Sequence, residues 1–368
     1  MSRGPRILEN QGEGYPNIHA LFTPHPEIPA LVPRAEFHPS PPRGEGEQTL
    51  IANSVKQLQN IKEIKVKCPA KINLTLEVLD KRPDGFHNIQ SVMQTINLFD
   101  ILTIKIEESE DFEIKLSGTS NEIPYDERNL AYKAAELFFR CKDAKMQRCK
   151  EKQELCIYAS MRLCIFLHIE KNIPVAAGLA GGSTDAAGTL WGLNKLFDNI
   201  LSDEELHQLC LQLGSDLNFC LEGGCQLATS RGEILEKLPF QEFRLSLIKP
   251  KNLGISAKEA YTKFSAFEKK PNLNMTTKLI NAVGLESPTY SHEKNIVNIQ
   301  EFLHNDLEAA LIEEYQELRE IKMEYPEAIM SGSGSTFFAI DIDFKDFNDN
   351  FWIKNGLKSI PYGVCEFK

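Results

Sequence analysis

The sequence lacks the features typical of membrane proteins and of proteins that track along nucleic acid. Its 368 residues contain no apolar run near the roughly 18 uninterrupted residues that a membrane-spanning helix needs. Acidic residues outnumber basic residues by 52 to 41, so the net charge is −11, whereas binding along nucleic acid needs a basic face. We therefore expect small-molecule substrates only, with no nucleic acid and no membrane as partners. A small anionic substrate stays compatible, because local amides and a few lysines can outweigh the overall charge.

The sequence has no Cys-x-x-Cys pair, and its number of cysteines is odd. Nine cysteines, together with the lack of a secretory signal, favour reduced thiols in a cytoplasmic protein. Cys220 and Cys225 are the nearest pair, and their apolar surroundings favour buried packing over a structural zinc site.

The first 60 residues show no helical or strand periodicity. Residues 1–49 hold nine of the 19 prolines and bury too little apolar surface to offset the entropy lost on ordering. Six glutamates in this segment argue against a transit peptide, which is poor in acidic residues. We expect residues 1–60 to be a disordered Pro-rich extension, or to reflect a start assigned too far upstream, and to carry no chemistry.

Hydrophobic periodicity predicts an α+β protein, and the length predicts about two domains. From Cys68 to Leu79, apolar side chains alternate with polar ones that include Lys71 and Asn73, which predicts a half-buried strand with an exposed polar face. Asp84-Gly85 marks a turn. Further strands are predicted at 88–98, 100–116, 163–170, 243–248 and 336–342. Helices are predicted at 129–139, 183–197, 203–213 and between about 256 and 323.

The segment Pro174–Leu190, PVAAGLAGGSTDAAGTL, is the feature most indicative of chemistry. Its glycines allow a tight turn whose N–H groups converge just before a helix, and a helix N-terminus attracts anions. The segment has no lysine before its hydroxyl residues and no second glycine at Ala180, so it matches neither the Walker loop nor the dinucleotide fingerprint. It indicates a phosphate loop of another kind, and a flexible loop capped by Ser183 is the alternative.

Three other features are ambiguous when each is taken alone. The turn Met330–Thr336, MSGSGST, is either functional or simply a tight connection between a helix and a strand. Lys71 on the polar face of its strand is either functional or merely solvated. Asp216 after a helix end is either catalytic or a residue that caps or pairs locally.

Five segments taken together resemble the GHMP kinase superfamily. They are PAKINL at 69–74, PDGFH at 83–87, PVAAGLAGGST at 174–184, LGSD at 213–216 and MSGSGS at 330–335, and the resemblance covers about residues 64–342. PDGFH directly behind the Lys71 strand narrows the resemblance to the family that phosphorylates the 2-hydroxyl of 4-diphosphocytidyl-2-C-methyl-D-erythritol in isoprenoid biosynthesis, because other GHMP kinases generally lack this combination.

The resemblance implies a fold of two α+β domains with the active site in the cleft between them. It places a nucleotide-binding domain, similar to domain 2 of ribosomal protein S5, at 61–234 and a ferredoxin-like substrate-binding domain at 235–368. It implies ATP as cosubstrate and Mg²⁺ as cofactor, with Ser183 and Thr184 as candidate ligands only, and a monomer or a homodimer.

The resemblance also implies roles for individual residues. Lys71 and Asp216 match the catalytic pair, in which Asp216 takes the proton from the substrate hydroxyl and Lys71 stabilises negative charge. The ATP-binding set comprises Lys171, Pro174, Val175, Ala176, Ala177, Gly178, Leu179, Ala180, Gly181, Gly182, Ser183 and Thr184. The substrate-binding set comprises Asn73, Phe86, His87, Tyr261, Ser331, Gly332, Ser333 and Gly334.

Within the substrate-binding set, His87 is expected to hydrogen-bond the cytosine edge, while Phe86 and Tyr261 sandwich the base. Phe86 stands where tyrosine is common, which keeps the stacking but removes a phenol hydrogen bond. Another GHMP enzyme, of homoserine or mevalonate type, and a non-catalytic nucleotide sensor are the alternatives. The segment 141–163 is about a dozen residues longer than the expected turn, which indicates a surface excursion.

Overall fold

The computed structural model describes residues 62–148, 163–267, 273–283, 298–345 and 347–367. The predicted extension at 1–60 and most of the predicted excursion at 141–163 lie outside these residues. Within the described ranges, no helix combines the length and the apolar character needed to cross a membrane.

A long antiparallel hairpin organises the first of two sheets. Strand β1 (Lys62–Lys81) pairs with β2 (His87–Glu108) along its whole length, with register shifts between Pro69 and Ala70 and between Asn73 and Thr75. The other strands of this sheet are β3 (Glu113–Gly118), β4 (Leu163–Glu170), β5 (Cys225–Ser230), β6 (Ile234–Lys237), β8 (His304–Asn305) and β12 (Cys365–Glu366). The bulges bend the hairpin, and its two ends take different partners: β2 pairs with β4 near one end and with β5 near the other.

Four helices accompany the first sheet: α1 (Leu130–Arg148), α2 (Gly181–Leu196), α3 (Asp203–Leu213) and α4 (Leu217–Glu222). Small residues on α2 allow close packing, since a Cβ placed on Gly188 would lie 2.5 Å from the sulfur of Cys68 on β1. Buried side chains of these helices form one apolar core with the end of the sheet that contains Val66, Leu102 and Ile165.

The second sheet has four antiparallel strands: β7 (Arg244–Pro250), β9 (Ile329–Met330), β10 (Phe337–Ile340) and β11 (Phe351–Lys358). Their spatial order is β11-β7-β10-β9, which is the 4-1-3-2 order of a ferredoxin-like sheet. Helices α5 (Ala257–Ala266), α6 (Met275–Ala282), α7 (Asp306–Glu314) and α8 (Gln316–Glu324) and the 3₁₀ turn Ile299–Phe302 lie between β7 and β9 in the chain. The described residues between β10 and β11 contain no helix.

The two sheets share an apolar core. Ile72 and Leu74 of β1 belong to the same cluster as Leu245 and Leu247 of β7 and Phe338 of β10. This packing fixes the second sheet against the bent middle of β1, and the cleft between the sheets opens beside it. The domain boundary predicted near residue 235 stays a prediction. Strands β8 and β12 lie beyond that residue in the chain, but both pair with β1 in the first sheet.

The predicted α+β class and most predicted elements are confirmed, and β4 and α3 have the predicted ends. Two predictions were wrong. The strands expected at 88–98 and 100–116 are one continuous strand up to Glu108, followed by the separate β3. The polar face of β1 is not exposed: Lys71, Asn73 and Glu77 are each at least 96% buried, because the cleft-side elements cover that face.

Candidate active site

A cavity of about 1000 Å³ lies in the cleft between the two sheets. Most of the predicted site residues line it: Lys71, Asn73, Phe86, His87, Lys171, Pro174, Val175, Ala176, Ala177, Gly178, Ala180, Gly181, Gly182, Ser183, Asp216, Tyr261, Gly332 and Ser333. Leu179, Thr184, Ser331 and Gly334 are not among the lining residues, and the first three of these are buried behind the cavity wall. The structure therefore brings together segments that are far apart in the sequence.

The glycine loop, defined as residues 174–180, has the backbone geometry of an anion-binding turn. Ala176, Gly178 and Ala180 all have positive φ, at 48°, 74° and 59°. Alternation between left-handed and right-handed residues turns successive N–H groups toward one side, which is how backbone nests hold phosphates.

The N-terminus of α2 continues this anion site. Its N-cap is Ala180, which has no side-chain acceptor, and the helical hydrogen bonds begin with Thr184 N–H donating to Ala180 O at 2.9 Å. The three preceding N–H groups, of Gly181, Gly182 and Ser183, belong to residues that line the cavity. The alternative of a loop capped by Ser183 is wrong, because Ser183 lies inside the first helical turn.

The second glycine turn, residues 331–334, packs directly on the glycine loop. Ser331 Oγ donates to Gly178 O at 3.2 Å, and Thr336 N–H donates to Ala177 O at 3.3 Å. Asn305 holds the turn from below by donating to Met330 O and Gly332 O at 2.6 and 2.8 Å. This turn thus shapes the loop, and Ser331 acts as a support rather than as part of the lining.

Lys71 and Asp216 meet at the floor of the cavity. Lys71 Nζ lies 3.6 Å from Asp216 Oδ2 and donates to Asn73 Oδ1 at 2.7 Å. The Lys71 side chain is 5% exposed and that of Asp216 is 33% exposed, so the ammonium is enclosed while the carboxylate reaches the cavity. Asp216 is the N-cap residue of α4, but its side chain makes no capping hydrogen bond. The local-cap alternative is therefore wrong for its side chain.

Aromatic and cationic side chains gather at the other end of the cavity. The His87 ring stacks on Tyr261 with centroids 5.4 Å apart and planes inclined by 17°, and His87 Nε2 lies 3.2 Å from Ser265 Oγ. Burial raises the pKa of the Tyr261 phenol, which keeps it protonated. Phe86 is 54% exposed, and the Arg231 guanidinium lies 5.1 Å from its ring centroid. Tyr261 thus faces His87, while Phe86 faces Arg231.

The Lys171 side chain is enclosed between two carboxylates. Its ammonium donates to Asp100 Oδ2 and, at 2.8 Å, to Asp185 Oδ2, and all three side chains are at most 5% exposed. Burial disfavours the charged ammonium, but the two carboxylates outweigh it and raise the pKa of Lys171. Burial also raises the pKa of the Asp185 carboxyl, against the opposing effect of Lys171. That Lys171 binds the nucleotide stays a prediction.

Sequence reasoning missed Asp100, Asp185, Arg231 and Asn305. Asp185 carries a detectable signal, because an acid inside the small-residue run GGSTDAAG is unusual for a helix that packs closely on a sheet. Asp100 also ends an apolar stretch, NLFD, where a buried acid needs a partner. Arg231 and Asn305 show no comparable signal in the sequence.

The arrangement can hold a polyphosphate against main-chain N–H groups and present a carboxylate and an ammonium to a hydroxyl group across the cavity. Among the described residues, no cluster of three or more His, Cys, Asp or Glu side chains could bind a metal by itself. Thr184 Oγ1 and Asp185 Oδ1 are buried oxygens without a hydrogen-bond partner beside the loop. Oxygen donors of this kind suit a Mg²⁺ ion that takes its other ligands from phosphate and water.

Comparisons with known proteins agree with this geometry. Residues 129–225 match the family model described as the GHMP kinases N terminal domain. A 4-diphosphocytidyl-2-C-methyl-D-erythritol kinase of Clostridium perfringens is 38% identical over 285 residues, which cover 75% of this chain and 88% of that protein.

Two solved structures resemble the chain over most of its length. A crystal structure of 4-(cytidine 5'-diphospho)-2C-methyl-D-erythritol kinase has a TM-score of 0.54 and 25% identity, and the match covers 80% of this chain and 99% of that chain. A homoserine kinase from Cytophaga hutchinsonii has a TM-score of 0.57 with 15% identity, covering 84% of this chain and 99% of that chain. At that identity the second match shows the fold alone.

Proposed function

This chain belongs to the 4-diphosphocytidyl-2-C-methyl-D-erythritol kinase family, and we propose that it phosphorylates the 2-hydroxyl of that cytidylylated alcohol with ATP. The products are the 2-phosphate and ADP, within the methylerythritol phosphate route to isoprenoids. The observation that carries the proposal is the meeting of Lys71 and Asp216, 3.6 Å apart, beneath a glycine loop in one cavity. The cytoplasmic location and the monomeric or homodimeric state stay predictions.

The acceptor side of the reaction rests on Asp216 and Lys71. Asp216 takes the proton of the attacking hydroxyl, and its partly exposed carboxylate reaches the cavity where that hydroxyl arrives. Lys71 stabilises the negative charge that develops during the transfer. Asn73 fixes the direction of the ammonium by accepting one of its hydrogen bonds.

The donor side rests on the backbone. The glycine loop and the first turn of α2 offer N–H groups to the phosphates of ATP, at the positive end of the helix dipole. Phosphoryl transfer has a loose transition state, so alignment and charge stabilisation supply most of the catalysis. Asp185, which lines the cavity and whose Oδ1 has no hydrogen-bond partner, would hold Mg²⁺, and the ion would neutralise phosphate charge. The candidates Ser183 and Thr184 stay predictions.

Substrate recognition rests on the aromatic end of the cavity. The Tyr261 and His87 pair and the exposed ring of Phe86 offer flat surfaces for a pyrimidine, and His87 offers a ring nitrogen to its polar edge. Homoserine and mevalonate carry no base, so these side chains would contribute nothing to binding them. The sensor alternative leaves the enclosed Lys71–Asp216 pair without a purpose.

A test of three acceptors separates these alternatives. We expect the full chain with ATP and Mg²⁺ to release ADP rapidly with 4-diphosphocytidyl-2-C-methyl-D-erythritol and only at background rate with homoserine or mevalonate. CDP should inhibit competitively against the cytidylylated alcohol, because it occupies the same aromatic surfaces. ADP release coupled to homoserine or mevalonate alone would reject the substrate, and ATP binding without transfer to any acceptor would support the sensor.

A further inference from the structure

Three buried charged side chains lie directly behind the phosphate-binding segment. Asp100 is on β2, Lys171 follows β4, and Asp185 is in the first turns of α2, and their side chains are 0%, 5% and 3% exposed. The lysine ammonium contacts both carboxylates. Burying three charges is costly unless they are well paired and hydrogen-bonded. We call these residues the Asp100–Lys171–Asp185 triad, and the roles proposed for Lys71 and Asp216 do not explain it.

Asp100 organises the backbone that leads into the glycine loop. Its Oδ1 accepts from the N–H groups of Asn172 and Ile173 at 2.5 and 2.8 Å, while its Oδ2 accepts from Lys171. Asn172 Nδ2 adds a bond to the carbonyl of Phe99, the residue before Asp100. One carboxylate therefore fixes three successive residues immediately before Pro174, where the loop begins.

Lys171 connects this start of the loop to its end. A Cβ placed on Gly181 would lie 2.9 Å from Lys171 Nζ, so the ammonium fills the space directly beneath the first residue of α2. Its second carboxylate partner, Asp185, lies four residues further along that helix. The triad thus spans the loop from its first residue to its last, and the loop between contains three residues with positive φ.

The contacts also argue against Lys171 as a direct ligand of phosphate. Reaching the nucleotide would require the ammonium to leave two carboxylates that are themselves almost completely buried. Those carboxylates would then be unpaired in a low-dielectric environment, which is strongly unfavourable.

We propose that Asp100 is a positioning residue, which acts through Lys171 and the backbone at 172–173 to hold both ends of the glycine loop in the nucleotide-binding geometry. On this view Lys171 serves the nucleotide by bracing the loop and does not bind phosphate itself. Any effect of this positioning role on turnover rests on the proposed function. The role itself is measured directly as nucleotide affinity.

The test uses Asp100→Asn in the full chain, with the Mg²⁺ complex of the non-hydrolysable analogue AMP-PNP as the probe in a titration. The variant keeps Lys171 paired with Asp185, so the charges in the triad balance and the protein should fold. The amide cannot serve both the backbone N–H groups and the ammonium, so we expect affinity to fall by about tenfold, the order expected when supporting residues misplace a site. KM for the cytidylylated alcohol should change by less than about threefold.

Glu77→Gln is the matched control. Glu77 is also a buried carboxylate on the first sheet, and it accepts from the backbone N–H groups of Met275 and Thr276 instead of from the loop. This control should lower the melting temperature and leave AMP-PNP affinity unchanged. All titrations are made well below the melting temperature of each variant, as followed by circular dichroism.

A double-mutant cycle with Lys171→Met decides between bracing and direct binding. If the triad is a brace, the double variant loses no more affinity than the worse single variant, because both changes break the same unit. Wild-type affinity in Asp100→Asn, with a loss confined to Lys171→Met, would overturn the proposal and make Lys171 a phosphate ligand. Should Asp100→Asn fail to fold, Asp100→Glu keeps the charge but displaces the carboxylate, and it must also weaken AMP-PNP binding.

The experiments distinguish a failure of the proposed function from a failure of the positioning role. If the chain phosphorylates no cytidylylated alcohol, the AMP-PNP titrations still report on the triad. If transfer occurs but Asp100→Asn binds AMP-PNP normally, only the positioning role is rejected.

Discussion

Asp216→Asn is expected to lower kcat by two to four orders of magnitude, the usual range for a positioned proton acceptor. The amide has the size of the carboxylate but cannot take a proton from the acceptor hydroxyl. AMP-PNP affinity should stay within about threefold of wild type, because the proposed nucleotide contacts are main-chain N–H groups of the glycine loop and of α2, and the Asp216 side chain is not among them. Steady-state kinetics and a titration on the same sample give both numbers.

The control for Asp216→Asn is Asp343→Asn. Asp343 also pairs with a cation, Arg244, but this pair is about half exposed and does not line the cavity. Its loss should leave kcat and AMP-PNP affinity unchanged, since exposed ion pairs contribute little. Turnover close to wild type in Asp216→Asn would remove this residue as the base.

Gly178→Ala should lower kcat/KM for ATP by about 100-fold, the scale expected when a loop displaces reacting groups by an ångström. Gly178 has φ +74°, and a Cβ there would overlap the carbonyl oxygen of Ser331. A backbone atom cannot rotate away as a side chain does, so the glycine loop and the turn at 331–334 must separate. Steady-state kinetics at varied ATP, with a melting temperature, would show the effect.

Gly356→Ala separates the steric effect from the conformational one. Gly356 has φ +72°, almost the value of Gly178, but a Cβ there meets nothing within 4 Å. The left-handed conformation alone should cost about 1 kcal/mol of stability without a kinetic effect. Equal losses of stability in both variants, with normal kinetics at Gly178→Ala, would show that the contact between the two turns is not required.

The sequence allowed prediction of features that depend on neighbouring residues. The periodicity of apolar side chains gave the ends of β4 and α3, and the glycines of 178–182 indicated an anion site before a helix. Lys71, Asp216 and the aromatic residues were predicted through the resemblance that the order of five motifs carries. Each periodic segment and each motif lies within about a dozen residues of chain, which is the range over which patterns are informative, and only the family resemblance relates distant motifs to one another.

Features that depend on tertiary contact could not be predicted. Ser331 supports Gly178 from 153 residues away, and Asp100 reaches Lys171 across 71 residues. Alternation in β1 suggested a solvated polar face, because periodicity shows that two faces differ but not what covers the polar one. The turn at 331–334 and the N-terminus of α6 contribute to that cover, and so an ordinary strand lysine becomes an enclosed one.

In the proposed reaction, Asp216 and Lys71 activate the 2-hydroxyl of the substrate, and its oxygen attacks the γ-phosphorus of ATP. The direct measurement supplies 4-diphosphocytidyl-2-C-methyl-D-erythritol labelled with ¹⁸O at that hydroxyl and locates the label in the product by ³¹P NMR. We expect one ¹⁸O in the bridge between carbon 2 and the new phosphate. Phosphate on another hydroxyl, or a bridge without the label, would contradict it.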